Sequence, residues 1–207
     1  ELSIYFGIET ALCSDTAEEI WSKANRVIAE KKLSPRKLMK QANTVYVATT
    51  DDVADSLEYH QLLKNDDTLS AKVTPSFRTD NLLLIRRAGY RSYINKLSEV
   101  SGLAITDLAS LDAAIEKRLQ FFIQSGCRFT DVGMPFFPDR IGSDAEADLV
   151  FKKALEEEAL SDEEYSSFLG RMYLFLGKLY RKYNVVMQWH LAVQRNVNTP
   201  LFQAAGP

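Results

Sequence analysis

The sequence predicts an α/β fold in which four parallel strands alternate with helices. Short runs rich in β-branched and aromatic residues recur along the chain, and longer segments with helical apolar spacing lie between them. Strands that are separated by helices form βαβ crossovers, and such crossovers produce a parallel sheet. Four strands are too few for a closed eight-stranded barrel. The apolar fraction of 46% is sufficient for a sizeable core.

The first 43 residues are predicted to be a helical lead-in. Thr16, with Glu19 three residues further on, fits a capping box that opens a helix running to about Lys31. Ser34 and Pro35 open a shorter helix, because a proline at the first helical position needs no amide donor.

Strands and helices then alternate. The predicted strands cover residues 44–49, 71–77, 127–131 and 185–190. The predicted helices cover residues 53–64, 90–99, 106–125, 143–158 and 161–183. The tail, residues 196–207, is predicted to be a loop.

Composition and motifs exclude several classes of function. The net charge is −3, and the lysines and arginines are spread along the chain among acidic residues, which predicts no nucleic-acid partner. No apolar run is long enough to span a membrane, the start lacks the basic region of a signal peptide, and neither glycine-rich phosphate motif occurs. Cys13 and Cys127 show no Cys-x-x-Cys spacing, so we expect free thiols and a cytoplasmic location; a disulfide is the alternative.

Polar residues end or directly follow each predicted strand, at the end where ligands meet parallel α/β sheets. Going along the chain, these candidates are Asp51 and Asp52, then Arg78 and Asp80, then Asp131, and finally His190 and Arg195. Arginine offers a two-pronged donor that matches a carboxylate, and aspartate accepts hydrogen bonds from sugar hydroxyls. Histidine can bind a metal or move a proton near neutral pH. The set suits a polyhydroxylated acid.

Each candidate also has a structural alternative. Asp51 or Asp52 could cap the following helix, Arg78 could pair with Asp80, His190 could be a hydrogen-bonded core histidine, and Arg195 could be a surface residue. The other histidine, His60, is interpreted as structural or as part of a helix surface.

Three stretches resemble the motifs of uronate isomerases, in order and with matching spacing. They are VATTDDVADSLEYH at 47–60, KVTPSFRTD at 72–80 and QWHLAVQRNVN at 188–198. The resemblance extends over essentially the whole chain, and it implies strands two to five of a (β/α)₈ TIM barrel of the amidohydrolase superfamily. Residues 1–207 would then be the central segment of one barrel domain.

The resemblance also implies an activity. Members interconvert D-glucuronate with D-fructuronate, and D-galacturonate with D-tagaturonate, by proton transfer through an enediol beside a divalent metal, usually zinc. Carried over to this chain, the catalytic residues are His190 and Arg195, and His190 is also the candidate metal ligand. The substrate-binding residues carried over are Arg78, Asp80, Asp51 and Asp52.

Parts of the family pattern are missing. The His-x-His motif that holds the family's metal does not occur, so we expect the remaining ligands to lie outside this chain and the isolated chain to be inactive. Where relatives read SDHG, the chain has Val132 in place of the histidine, and Val197 replaces an asparagine. A metal-dependent hydrolase of the same superfamily and a non-catalytic sugar-acid-binding or assembly module remain alternatives. We expect a uronic acid as ligand, no nucleic-acid or membrane partner, and a homo-oligomer for the intact protein.

Overall fold

The structure is a computed structural model, and it describes residues 1–134, 136–191 and 196–206. The strands are β1 (Tyr46–Asp52), β2 (Lys72–Arg78), β3 (Thr130–Met134) and β4 (Trp189–Leu191). The helices up to β3 are α1 (Leu2–Phe6), α2 (Ala17–Lys31), α3 (Pro35–Gln41), α4 (Glu58–Lys64), α5 (Asp80–Leu83), α6 (Tyr90–Ser101) and α7 (Leu108–Gln124). Those after β3 are α8 (Asp144–Leu155), α9 (Asp162–Tyr183) and α10 (Thr199–Ala205).

The four strands form one parallel sheet in chain order, β1-β2-β3-β4, which confirms the predicted architecture. Phe77 of β2 pairs with Thr130 of β3, and Gly133 of β3 pairs with His190 of β4. Within the described residues the sheet is open, with β1 and β4 at its edges. Because the strands are parallel, all four carboxyl ends lie along the same side of the sheet.

The chain divides into two compact units. The first consists of Glu1–Val47 and Leu62–Val73, and the second of Ala48–Gln61 and Thr74–Pro207. In the first unit, Arg36 pairs with Asp66 at 2.6 Å, and the Lys72 amide donates to the Val45 carbonyl. The Arg36 guanidinium lowers the pKa of the Asp66 carboxyl.

The second unit contains most of the hydrophobic core. Phe77 on β2 is fully buried, and its ring meets Phe122 of α7 edge-on, at 5.0 Å between ring centroids. The ring of Tyr180 from α9 also meets the Phe77 ring edge-on, at 6.4 Å between ring centroids. The middle of the sheet is therefore packed against α7 and α9 by aromatic contacts.

Side-chain caps begin three helices of this unit. Asp107, Ser143 and Ser161 each close a capping box at the start of α7, α8 and α9. The helix predicted at 161–183 is confirmed almost to the residue. The capping box predicted at Thr16 and Glu19 is wrong, because the Thr16 hydroxyl donates instead to the Ala11 carbonyl.

The helix predicted to begin at residue 53 begins at Glu58 instead. The side chains of Asp52 and Asp55 accept the backbone N–H groups of Ala54 and Leu57, at 2.8 and 2.7 Å. Leu57 also has a φ of 56°, which a helix does not allow. Local aspartate–backbone hydrogen bonds thus hold this segment as a turn.

Three predicted strands and the tail also need correction. The first strand lies at 46–52 and not at 44–49, so Asp51 and Asp52 belong to it. The third strand lies at 130–134 and the fourth at 189–191, both nearer the C-terminus than predicted, with a single bridge between Phe129 and Val186 ahead of them. The tail predicted as a loop contains α10, which Asn198 caps through the Leu201 amide. None of the helices in the described ranges is both long enough and apolar enough to cross a membrane.

Candidate active site

A cleft of about 770 Å³ opens at the carboxyl ends of the strands. All four strands contribute to its lining, together with α5 and α9. The lining residues are Thr50, Arg78, Asp80, Leu83, Leu84, Asp131, Gly133, Met134, Tyr165, Leu169, Tyr173 and His190. The strand ends supply the polar side chains, as the sequence predicts, and α9 supplies an aromatic and aliphatic wall.

Asp131 is the centre of the polar side of the cleft. It lies in β3 and is only 8% exposed. Its Oδ2 accepts a hydrogen bond from the Thr50 hydroxyl at 3.0 Å, and its Oδ1 lies 2.8 Å from Nε2 of His190. The guanidinium of Arg78 is 3.5 Å from the same carboxylate. One buried carboxylate therefore connects the ends of β1, β2 and β4.

Arg78 leaves the end of β2 and pairs with Asp80 through its Nε. This contact, and the charge of Asp131 nearby, raise the pKa of the guanidinium above its already high value. The Arg78–Asp80 pair that the sequence offered as a structural alternative is thus present. Both side chains nevertheless line the cleft, and that of Arg78 is 45% exposed. Arg78 can therefore pair with Asp80 and still bind a ligand in the cleft.

Asp80 is held by the backbone of a neighbouring strand. Its Oδ1 accepts the Gly133 N–H at 2.7 Å, while its Oδ2 takes the Arg78 contact. Each oxygen of this carboxylate therefore has a protein partner.

His190 stands at the end of β4 with its side chain 62% exposed. It is therefore not the buried core histidine that the sequence left open. His60, in contrast, is nearly buried on α4 and lies 2.8 Å from the Thr49 hydroxyl, in a structural setting.

The structure does not bring Asp51 and Asp52 into the cleft lining. Asp51 accepts from the Thr49 hydroxyl at 2.7 Å and lies 3.7 Å from His60. Asp52 accepts from Asn81 and from the Tyr93 hydroxyl, in addition to the turn amide described above. Burial and the neighbouring Asp52 raise the pKa of Tyr93. A substrate contact by either aspartate stays a prediction, and Arg195 lies outside the described residues.

Sequence reasoning placed Asp131 at a strand end but left it out of the substrate-binding set, and it missed Thr50 and Tyr173. Thr50 adjoins Asp51 on a strand, and successive strand residues point to opposite faces. That alternation was the available signal that the two neighbours could not both face the cleft. Tyr173 belongs to a helix more than a hundred residues further along, and strand-end reasoning does not reach it.

The described parts of the chain bring no group of three or more His, Cys, Asp or Glu side chains together as a metal site. His190 and Asp131 offer one imidazole and one carboxylate, which are donor types that zinc accepts. A metal at this rim would need further ligands from beyond the described residues.

The family model described as glucuronate isomerase matches residues 1–207. The chain belongs to the glucuronate isomerase family. Among curated relatives of this family, the uronate isomerase of Caldanaerobacter subterraneus subsp. tengcongensis is 42% identical over 207 residues. That of Clostridium perfringens is 40% identical over 206 residues. The chain is covered completely in both comparisons and spans 44% of the length of each relative.

Solved structures of family members share the fold. A crystal structure of uronate isomerase from Thermotoga maritima superposes with a TM-score of 0.86 at 27% identity, covering all of this chain and 45% of that one. Glucuronate isomerase from Caulobacter crescentus gives a TM-score of 0.83 at 24% identity, covering 98% and 42%. The predicted α/β class, with four parallel strands of the family fold, is confirmed.

Proposed function

We propose that the protein containing this chain is a uronate isomerase that converts D-glucuronate to D-fructuronate and D-galacturonate to D-tagaturonate. Membership of the glucuronate isomerase family supports the activity, and the cleft supports the position of the site. The observation that carries the proposal is the convergence of Thr50, Arg78, Asp131 and His190 from four strand ends.

Arg78 is the proposed partner of the substrate carboxylate. Its guanidinium is charged, partly exposed and anchored at Nε by Asp80, so its orientation is restricted before a ligand arrives. A planar guanidinium can bind a carboxylate through two parallel hydrogen bonds. Asp131 and Thr50 are the proposed partners of the sugar hydroxyl groups nearby.

The reaction moves protons without changing the composition of the sugar. A proton leaves the hydroxyl-bearing carbon next to the aldehyde while the aldehyde oxygen gains one, and the proposed intermediate is an enediol. The aldehyde carbon then gains a proton and the neighbouring hydroxyl oxygen loses one, which leaves the ketone. His190, held 2.8 Å from the Asp131 carboxylate, is in a position to move a proton or to bind a metal. A bound divalent metal, for which zinc is our proposal, would polarise the sugar carbonyl. Within this chain His190 is the candidate ligand, and Arg195 remains the second proposed catalytic residue.

Replacement of Arg78 by alanine in the full-length protein tests the proposal. In the complex, the bound substrate would shield the Arg78–carboxylate pair from water. Truncating one partner of such a pair typically costs about 2–5 kcal/mol, so kcat/KM for a uronate should fall roughly 30- to 4000-fold. Arg78→Lys should recover little, because an ammonium group cannot reproduce the two-pronged contact. Steady-state kinetics with glucuronate and galacturonate, together with a melting curve for each variant, provide the measurement.

Arg91→Ala is the matched control, because Arg91 is an exposed arginine of α6 that donates to the Leu155 carbonyl outside the cleft. It should leave kcat/KM unchanged. Near-normal kcat/KM in Arg78→Ala would overturn the carboxylate contact and favour a structural Arg78–Asp80 pair. Uronate binding without any turnover by the metal-loaded wild-type protein would favour a non-catalytic binding module.

We also propose a cellular location and an assembly state for the intact protein. Both cysteines are free, Cys13 exposed and Cys127 buried, which supports a reducing compartment and hence the cytoplasm. Homo-oligomer formation by the intact protein is a proposal that sedimentation of the full-length protein would test.

A further inference from the structure

We infer that Gly133 and Asp80 are positioning residues that orient Arg78, with Gly133 acting through Asp80 and Asp80 acting through the Arg78 guanidinium. Asp80 was predicted to bind substrate; the geometry points to an indirect role. This inference rests on the proposed function, in which Arg78 binds the substrate carboxylate.

The first observation is the occupancy of the Asp80 carboxylate. Oδ1 accepts the Gly133 N–H at 2.7 Å, and Oδ2 pairs with Nε of Arg78. A carboxylate that is fixed at one oxygen by a strand amide can present its other oxygen in only a narrow range of directions. The Gly133 backbone thereby determines where Asp80 holds Arg78.

The second observation explains why residue 133 is a glycine. Gly133 has no positive φ, so its backbone conformation alone does not require glycine. A Cβ atom at this position would lie 3.0 Å from Oδ1 of Asp80, closer than ordinary van der Waals contact. The missing side chain is what allows the carboxylate to approach the amide.

The third observation is that the carbonyl of Gly133 is held from α9. The Tyr173 hydroxyl donates to the Gly133 carbonyl at 3.4 Å, and the Tyr173 ring contacts Trp189, the neighbour of His190. Burial raises the pKa of Tyr173, so the hydroxyl stays protonated and able to donate. The backbone is therefore held on both sides of the Gly133 Cα, by Asp80 at the N–H and by Tyr173 at the carbonyl.

The consequence concerns Arg78. Its Nε is held by Asp80, and an Nη atom lies 3.5 Å from Asp131. Two carboxylates therefore restrict the orientation of the guanidinium in the cleft. Restricting a side chain before binding reduces the entropy lost on binding and keeps the two donors in the productive direction.

A double-mutant cycle in the full-length protein tests the relation between Gly133 and Asp80. Gly133→Ala and Asp80→Ala should each lower kcat/KM for glucuronate by roughly 10- to 100-fold, as a small misplacement of a binding group does, with most of the change in KM. In the Asp80→Ala background the clash disappears, so Gly133→Ala should then change kcat/KM by less than about twofold. Equal effects of Gly133→Ala in both backgrounds would overturn the inference.

A second cycle does not depend on Gly133→Ala folding. If Asp80 acts only through Arg78, Asp80→Ala should have almost no further effect on kcat/KM in an Arg78→Ala protein. A large additional loss would mean that Asp80 contacts the substrate itself. Gly177→Ala on α9 is the control glycine, because nothing lies within 4 Å of the Cβ it would add, and its kinetics should be those of the wild type.

Different kinetic results would overturn the proposed function and the positioning role of Gly133 and Asp80. Near-normal kinetics in Arg78→Ala would overturn the proposed carboxylate contact and the positioning role together. A strong effect of Arg78→Ala, with additive effects in both cycles, would leave the proposed function standing and overturn the positioning role alone.

Discussion

Arg118 places a guanidinium in the interior of the second unit, with only 6% of its surface exposed. Its Nε and Nη2 donate to the carbonyls of Val53 and Asp55, at 2.8 and 2.5 Å, and its plane lies over the Phe121 ring at 4.4 Å. Burial lowers the pKa of Arg118. The buried guanidinium thus stabilises the turn that directly follows β1, the strand to which Thr50 belongs.

The two cysteines should differ sharply in reactivity. Burial raises the pKa of Cys127 to about 11, whereas a hydrogen bond with Thr16 lowers the pKa of the exposed Cys13 thiol. The thiolate is the reactive form, and its fraction increases as the pKa falls. At pH 8, iodoacetamide should therefore alkylate Cys13 in the folded protein and reach Cys127 only after unfolding, as peptide mass spectrometry can measure.

Cys13→Ser is the control for this experiment, since the folded variant should remain unmodified until denaturant is added. Comparable alkylation rates at the two cysteines in the folded protein would contradict both the burial of Cys127 and its raised pKa.

At the residue level the sequence was informative wherever a polar side chain follows a strand directly. Arg78, Asp80 and His190 line the cleft because strand polarity alone brings them to one edge. Asp51 and Asp52 also lie at the end of a strand, but their partners are a nearby hydroxyl, a turn amide and helix side chains. Which acidic residue satisfies local backbone donors and which remains available to a ligand depends on packing that strand-end reasoning does not reveal.

Helix α9 carries two glycines in different surroundings, and they should respond to alanine in opposite directions. A Cβ on Gly170 would lie 2.2 Å from the Arg140 carbonyl oxygen, a backbone atom that cannot move aside easily. Gly170→Ala should therefore reduce the free energy of unfolding by roughly 1–3 kcal/mol. Gly177→Ala has free space and should increase it by about 1 kcal/mol, because alanine favours helix more than glycine does.

Thermal and urea unfolding of the two variants measure this difference. The pair is matched in helix and in chemical change, so only the surroundings differ. Stabilisation by Gly170→Ala would mean that the segment around Arg140 does not pack on α9 as described.

At the level of elements, the starts of most helices were predicted closely, although Thr16 and Glu19 form no capping box. A serine followed three residues later by glutamate marks the start of α8 and of α9, and both helices begin where predicted. Apolar spacing alone predicts a helix for the turn after β1. The side chains of Asp52 and Asp55 instead accept backbone N–H groups there, and these hydrogen bonds compete with those of a helix. The observed strand boundaries differ from the predicted ones because pairing with a neighbouring strand, rather than β-propensity, determines where a strand begins.

For the whole molecule, we expect the 207-residue chain by itself to show no isomerase turnover. The described residues unite only two candidate ligands, His190 and Asp131, and catalytic metal sites use three protein ligands as a rule. The measurement is ketose formation from glucuronate by the purified chain with added Zn²⁺, with the full-length protein as the positive control. Turnover above the protein-free blank would contradict the expectation.

The order of the strands in the sheet has a consequence for how the molecule folds. Each strand after the first pairs with the one before it. The start of β2 lies 26 residues after the start of β1, and the pairs Phe77–Thr130 and Gly133–His190 are 53 and 57 residues apart. Closing each loop therefore costs only a few kcal/mol of chain entropy, roughly 3–4 before the intervening helices shorten it. During synthesis every strand emerges from the ribosome when its partner is already available. The sheet can therefore grow from its amino-terminal edge, and because β4 carries His190, the cleft is completed only when the last of the four strands docks.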